Sequence, residues 1–166
     1  MSRQHKVLQI ISAVFALAVG IFIYLIDRQP NSVYFLPDWF SLTGNLKPVF
    51  GELGNCLPTF LHTFAFVLLT AIFVTPTSSK LIFICISWFS IESLFEFGQI
   101  SSVALWIADH VPNWFANIPI LNNTSAYFIS GTFDIRDVVS IAAGVVVAYV
   151  FVASNQTEGN GHVYES

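Results

Sequence analysis

The residues best placed to do chemistry in this chain are Glu92, Glu96 and Gln99. They stand four and three apart, so on a helix they share one face. The run around them is otherwise apolar, and an ionised group at membrane depth costs about 2.5–3.5 kcal/mol on insertion scales. A sequence that keeps two carboxylates there must shield, pair or use them. His62, Asp134, Arg136 and Asp137 also lie in or beside apolar runs. A histidine with carboxylates can run general acid/base chemistry. His62, Glu96 and Asp137 together could hold a divalent cation. The same groups could relay protons or bind a polar substrate. Against these stands a plain latch, with His62 bonded to Glu96 and Arg136 neutralising a carboxylate. Interhelical polar contacts in membranes average only about 0.6 kcal/mol, a small return for burying so many groups.

Composition says where this chemistry sits. The chain has 166 residues, 55% of them hydrophobic and 10% charged, with a mean hydropathy of +0.70. Soluble domains carry about 25% charged residues. The reading is an all-α membrane protein, a four-transmembrane-helix bundle forming a single domain over residues 1–153. The formal charge of −4 argues against nucleic acid, which binds basic patches. No H-E-x-x-H, nucleophile elbow or phosphate loop is present, so no cofactor is predicted.

The spans are expected at about 7–26, 57–74, 81–100 and 137–153. Residues 16–18 (ALA) have the shape of a signal-peptidase site, but the apolar run continues to Ile26, so the first span is read as uncleaved. Residues 27–56 mix Pro, Gly and aromatics, which suits a segment at the membrane interface. Pro58 is placed in the first turn of span two, where a missing N–H costs nothing. The short polar turn through Lys80 makes spans two and three antiparallel neighbours. Residues 101–123 are too interrupted to cross and read as short interfacial or partly re-entrant helices. Asp134 or Asp137 could cap span four. Ala142, Ala143, Gly144 and Ala148 offer it a small-residue packing face. Residues 154–166 read as a polar disordered tail. Cys56 and Cys85 fall toward opposite sides, so no disulfide joins them.

Topology then brings distant residues together. Spans two and four begin, and span three ends, on the same side. His62, Glu96, Gln99 and Asp137 are therefore expected in one polar layer near that side, with Asp134 and Arg136 at its mouth. Glu92 falls about a turn deeper. With the N-terminus inside, Arg3, Lys6 and Lys80 lie inside and Arg28, Lys47 and Arg136 outside, a tie by the positive-inside rule. The short basic start and the long aromatic loops favour cytoplasmic termini.

The ordered combination resembles the VanZ-like family of small bacterial membrane proteins. His62 stands in LHTFAF, Glu96 and Gln99 in EFGQ, and Asp137 ends GTFDIRD with Gly144 seven residues on. The match runs from about Pro58 to Gly144. It departs at Gly131, where the family usually has Arg, and at Ile141, where it usually has Asn. Glu92 lies outside the motif and is either protonated and structural or particular to this chain. The resemblance implies a multi-pass protein of the bacterial inner membrane and cell envelope. Its outer-face cluster would bind or act on an envelope lipid or cell-wall precursor. Membrane lipids are partners in any case, and oligomers are compatible with the sequence. The alternatives are a non-catalytic scaffold or accessory subunit and, further off, a proton-coupled transporter. The sequence does not decide whether the chain is an enzyme.

Overall fold

A computed structural model of the protein describes residues 3–27, 49–74, 77–119 and 121–161, with side chains described as far as Asn155. The described residues are helical, without strands. α1 (Arg3–Asp27), α2 (Glu52–Val74), α3 (Ser78–Gly98) and α6 (Ile135–Gly161) are the long helices. Each contains a stretch long and apolar enough to cross a membrane. α4 (Ser101–His110) and α5 (Thr124–Ser130) are short, with two 3-10 turns between them, Asn113–Asn117 and Leu121–Asn123. The protein is thus an all-α membrane protein with four spans, and short helices link spans three and four.

The long helices alternate in direction. One end of the bundle carries the start of α1, the α2–α3 turn and the end of α6. There His5 Nδ1 contacts the Asn155 carbonyl. The other end carries Asp27, Glu52, Gly98 and Ile135. α2 packs along both α1 and α6, and α3 lies against α2 and α6. On α1 the buried residues are Gln9, Ala13, Ala16, Gly20 and Ile23. That stripe repeats at helical spacing and is mostly small, which lets α2 approach closely. Ala65, Leu68 and Ala71 of α2, Leu81 and Ile84 of α3, and Ala148 and Val152 of α6 are buried in one cluster with Ala13 and Ala16.

α2 begins earlier than the residue pattern predicts. It starts at Glu52, so Pro58 sits inside the helix and is buried. A proline there removes the bond to the carbonyl four residues back. That residue is Gly54, whose backbone packs against the Asp27 carboxylate. Asp27 also closes the neck of the connection from α1. Its Oδ1 accepts from the Val49 N–H at 2.7 Å and its Oδ2 from the Phe50 N–H at 2.9 Å. The aromatic segment over 28–48 lies outside the described residues. α6 extends to Gly161, past the expected end of the span. The rest of the predicted tail lies outside the described residues. Cys56 and Cys85 are both free thiols.

The predicted short helices between spans three and four are present as α4 and α5. α3 ends with the Gln99 N–H on the Glu96 carbonyl and the Ile100 N–H on that of Phe97. Ile100 is extended, and the chain turns directly into α4. α5 then returns over the end of α3. Phe128 is buried there, stacked on Phe95. A Cβ at Gly98 would lie 2.5 Å from the Phe128 ring, so a larger residue there would displace the ring from this seat.

Candidate functional site

Two threonines on α2 organise the polar end of the bundle. Thr59 and Thr63 are four apart and present their hydroxyls on one face. Thr59 donates to Asp137 Oδ1 on α6 at 3.2 Å. The Thr63 hydroxyl meets both the Thr59 carbonyl, at 2.9 Å, and Glu92 Oε2 on α3. A hydroxyl has one proton and two lone pairs. Its one proton is shared between the Thr59 carbonyl and the Glu92 carboxyl, so Thr63 ties the two together. A polar seam therefore runs from Asp137 through Thr59 and Thr63 to Glu92 and joins three spans. Glu92 Oε1 is buried at its end with no hydrogen-bond partner among the described residues.

Gly144 sets the spacing of this seam. A Cβ there would lie 2.7 Å from the Phe60 carbonyl oxygen and 3.0 Å from Thr63 Cβ. Glycine thus lets α6 press against the turn of α2 that carries Thr63. The small-residue face expected on span four is realised at Gly144 and at Ala148, both buried.

One turn along α3 from Glu92 is a second polar group. Gln99 Nε2 donates to Glu96 Oε1 at 3.3 Å and to the Tyr127 hydroxyl of α5 at 3.4 Å. Gly131 makes room for it, since a Cβ there would lie 2.8 Å from Gln99 Cγ. The position at which the VanZ-like pattern carries Arg is here the glycine that seats Gln99. α5 and the residues after it thus fold over Glu96 and Gln99.

The expected layer is only partly assembled. Glu96 with Gln99, and Asp137, lie at the expected end. His62 does not join them. Its ring faces α1, stacking on Tyr24 with centroids 5.8 Å apart and on Phe66 at 6.1 Å. Gly20 lies beneath it. Among the described residues His62 makes no hydrogen bond to Glu96 or Asp137. Thr63, the next residue, faces the carboxylates instead, because one residue turns the helix by about 100°. Arg136 points away too, toward exposed Glu52 with N···O 3.3 Å. Asp134 caps α6 by accepting from the Arg136 N–H at 2.9 Å, and Asp137 reaches Thr59 of α2. No group of three His, Cys, Asp or Glu among the described residues is placed to hold a metal ion.

The signal for the seam was in the sequence as Thr59 and Thr63 at one helical repeat, beside a carboxylate of matching depth. Tyr127 carried no comparable signal, since its place depends on how α5 folds back. No protein-family model matches this chain, and neither a curated protein nor a solved structure is similar to it. The VanZ-like resemblance therefore rests on the residues quoted for it.

Proposed function

We propose that the protein is a VanZ-like component of the bacterial inner membrane. Its carboxylate end would bind, or act on, an envelope lipid or cell-wall-related component. The observation that carries this reading is the seam itself. Carboxyl groups from two spans converge on a threonine pair of a third, and Glu92 Oε1 ends it with no hydrogen-bond partner among the described residues. Ionisable groups inside spans are functional candidates by default. Carboxylate, amide and hydroxyl groups together suit a headgroup rich in amine or hydroxyl donors. In this reading Glu96, Gln99 and Asp137 contact the headgroup, and Thr59, Thr63 and Glu92 position them. His62 is left with a packing role.

The second reading is a non-catalytic scaffold or accessory subunit. It is favoured by the threonine partners, which already satisfy much of the seam from within the chain. One experiment separates the two. The protein is purified from bacterial inner membranes in mild detergent, and retained lipids are identified by native mass spectrometry. Under the first reading an amine- or hydroxyl-bearing lipid stays with the wild type. Its retention falls about tenfold, the equivalent of about 1.4 kcal/mol, in Glu96→Gln and Asp137→Asn, at unchanged thermal stability. Equal retention in all three proteins sinks that reading. A fall in stability with loss of a co-purifying protein supports the second.

A further inference from the structure

The opposite end of the bundle holds a separate feature. A groove of about 440 Å³ runs between α2 and α3 beside their connecting turn. Its walls are apolar, with Val74, Phe83, Ile84 and Trp88, and its mouth carries Ser79 and Lys80. The volume is within the range of small-molecule sites, about 300–1,000 Å³. Trp88 is fixed at the inner end, its Nε1 donating to Thr70 Oγ1 at 2.9 Å and its ring stacked on Phe66. Lys80 is exposed and forms no ion pair among the described residues.

Charge complementarity selects the occupant. Lys80 stands at this end with Arg3 and Lys6. Asp27, Glu52, Asp134 and Asp137 lie at the other end. A groove that is apolar along its length and cationic at its mouth matches one kind of membrane molecule: an acyl chain carrying a negative headgroup. We infer that the α2–α3 groove is a binding site for an acidic phospholipid, with one acyl chain along Phe83, Ile84 and Trp88 and the phosphate at Lys80. The site is independent of the carboxylate seam. A second copy of the chain or another protein would also cover the apolar walls, but neither accounts for the lysine at the mouth.

Trp88 supplies the readout. With Trp39, Trp106 and Trp114 changed to Phe, it is the sole tryptophan. The protein is reconstituted in phosphatidylcholine vesicles containing a minor fraction of phospholipid brominated on its acyl chains, either phosphatidylglycerol or phosphatidylcholine. Quenching of Trp88 by the acidic lipid should reflect about a fivefold preference, which is what one lysine near an anionic surface contributes. Lys80→Gln should abolish the preference while leaving quenching by phosphatidylcholine unchanged. Equal quenching by both lipids in the Lys80 protein overturns the inference, as does a preference that survives Lys80→Gln. Shielding of Trp88 from both lipids means that protein fills the groove and overturns it as well. Should the single-tryptophan protein fail to fold, native mass spectrometry of the wild type gives the same answer. Phosphatidylglycerol adducts should outnumber phosphatidylcholine adducts from an equimolar mixture, and Lys80→Gln should equalise them.

Discussion

Toward the α2–α3 turn, Ala65, Leu68 and Ala71 meet Ala13, Leu81, Ile84, Ala148 and Val152 in a dry cluster. Toward the other end, the same helices meet through Thr59, Thr63, Glu92 and Asp137. Inside a bilayer apolar residues gain nothing by leaving lipid, so the dry half must be held by close van der Waals packing between small residues. The polar half is held by groups that lipid cannot satisfy. One half fixes the bundle without using any chemistry. The other holds the ionisable groups and can be altered while the first still holds.

The strongest way to break this division is to strike where the halves join. Gly144 sits between them, and its missing Cβ is filled by the Phe60 carbonyl and Thr63. Backbone cannot swing aside as a side chain can. Gly144→Leu must push α6 off α2, separating Thr59 from Asp137 and loosening Ala148 below. Overpacking costs about 1–3 kcal/mol and occasionally more, and this site belongs at or above the top of that range. Thermal unfolding in detergent measures it. A variant as stable as the wild type would show that α2 and α6 are not held at this distance.

A smaller effect is confined to the polar half. Thr63→Val keeps the shape and removes the hydroxyl that Glu92 meets. With Oε1 already lacking a hydrogen-bond partner among the described residues, the buried carboxyl is then left without that bond as well. Leaving a buried polar group unsatisfied costs about 1–3 kcal/mol. In Thr63→Val combined with Glu92→Leu most of that loss should return, because both ends of the contact are gone. The comparison requires only unfolding curves for the two single variants and the double. Strictly additive losses would mean that Thr63 and Glu92 are not coupled.

The four spans were legible because hydropathy over about twenty residues decides crossing. The short helices between spans three and four were legible because Asp109, His110 and Pro112 interrupt the run too early. The start of α2 was not. A proline usually marks a first turn, but here the helix carries Pro58 in its interior beside Gly54. Depth was readable for Glu96, in the last turn of α3, but not for His62, and facing was not readable. The early start of α2 puts His62 at the middle of that helix, level with Glu92, and a single residue of rotation separates the face toward Tyr24 from the face toward Glu92. Helical spacing within one span cannot fix how two spans are rotated against each other. That depends on where small residues such as Gly20 and Gly144 allow contact.

The smallest effect tests whether the dry half is dry in energetic terms. Among the described residues it holds one fully buried polar side chain, Gln9, whose Nε2 donates to the Leu68 carbonyl at 2.8 Å. Its Oε1 is buried with no hydrogen-bond partner among those residues. The bond gained is thus set against an acceptor left unsatisfied, and the Leu68 carbonyl lies within α2, where the helix supplies its own donor. Gln9→Leu removes the bond and the stranded acceptor together at similar volume. Such paired removal is close to neutral. The expected change in stability is within about 0.6 kcal/mol of zero, the average worth of an interhelical polar contact in a membrane. A loss of about 2 kcal/mol or more would mean that this half also depends on a polar tie, and the contrast between the two ends would then be one of degree.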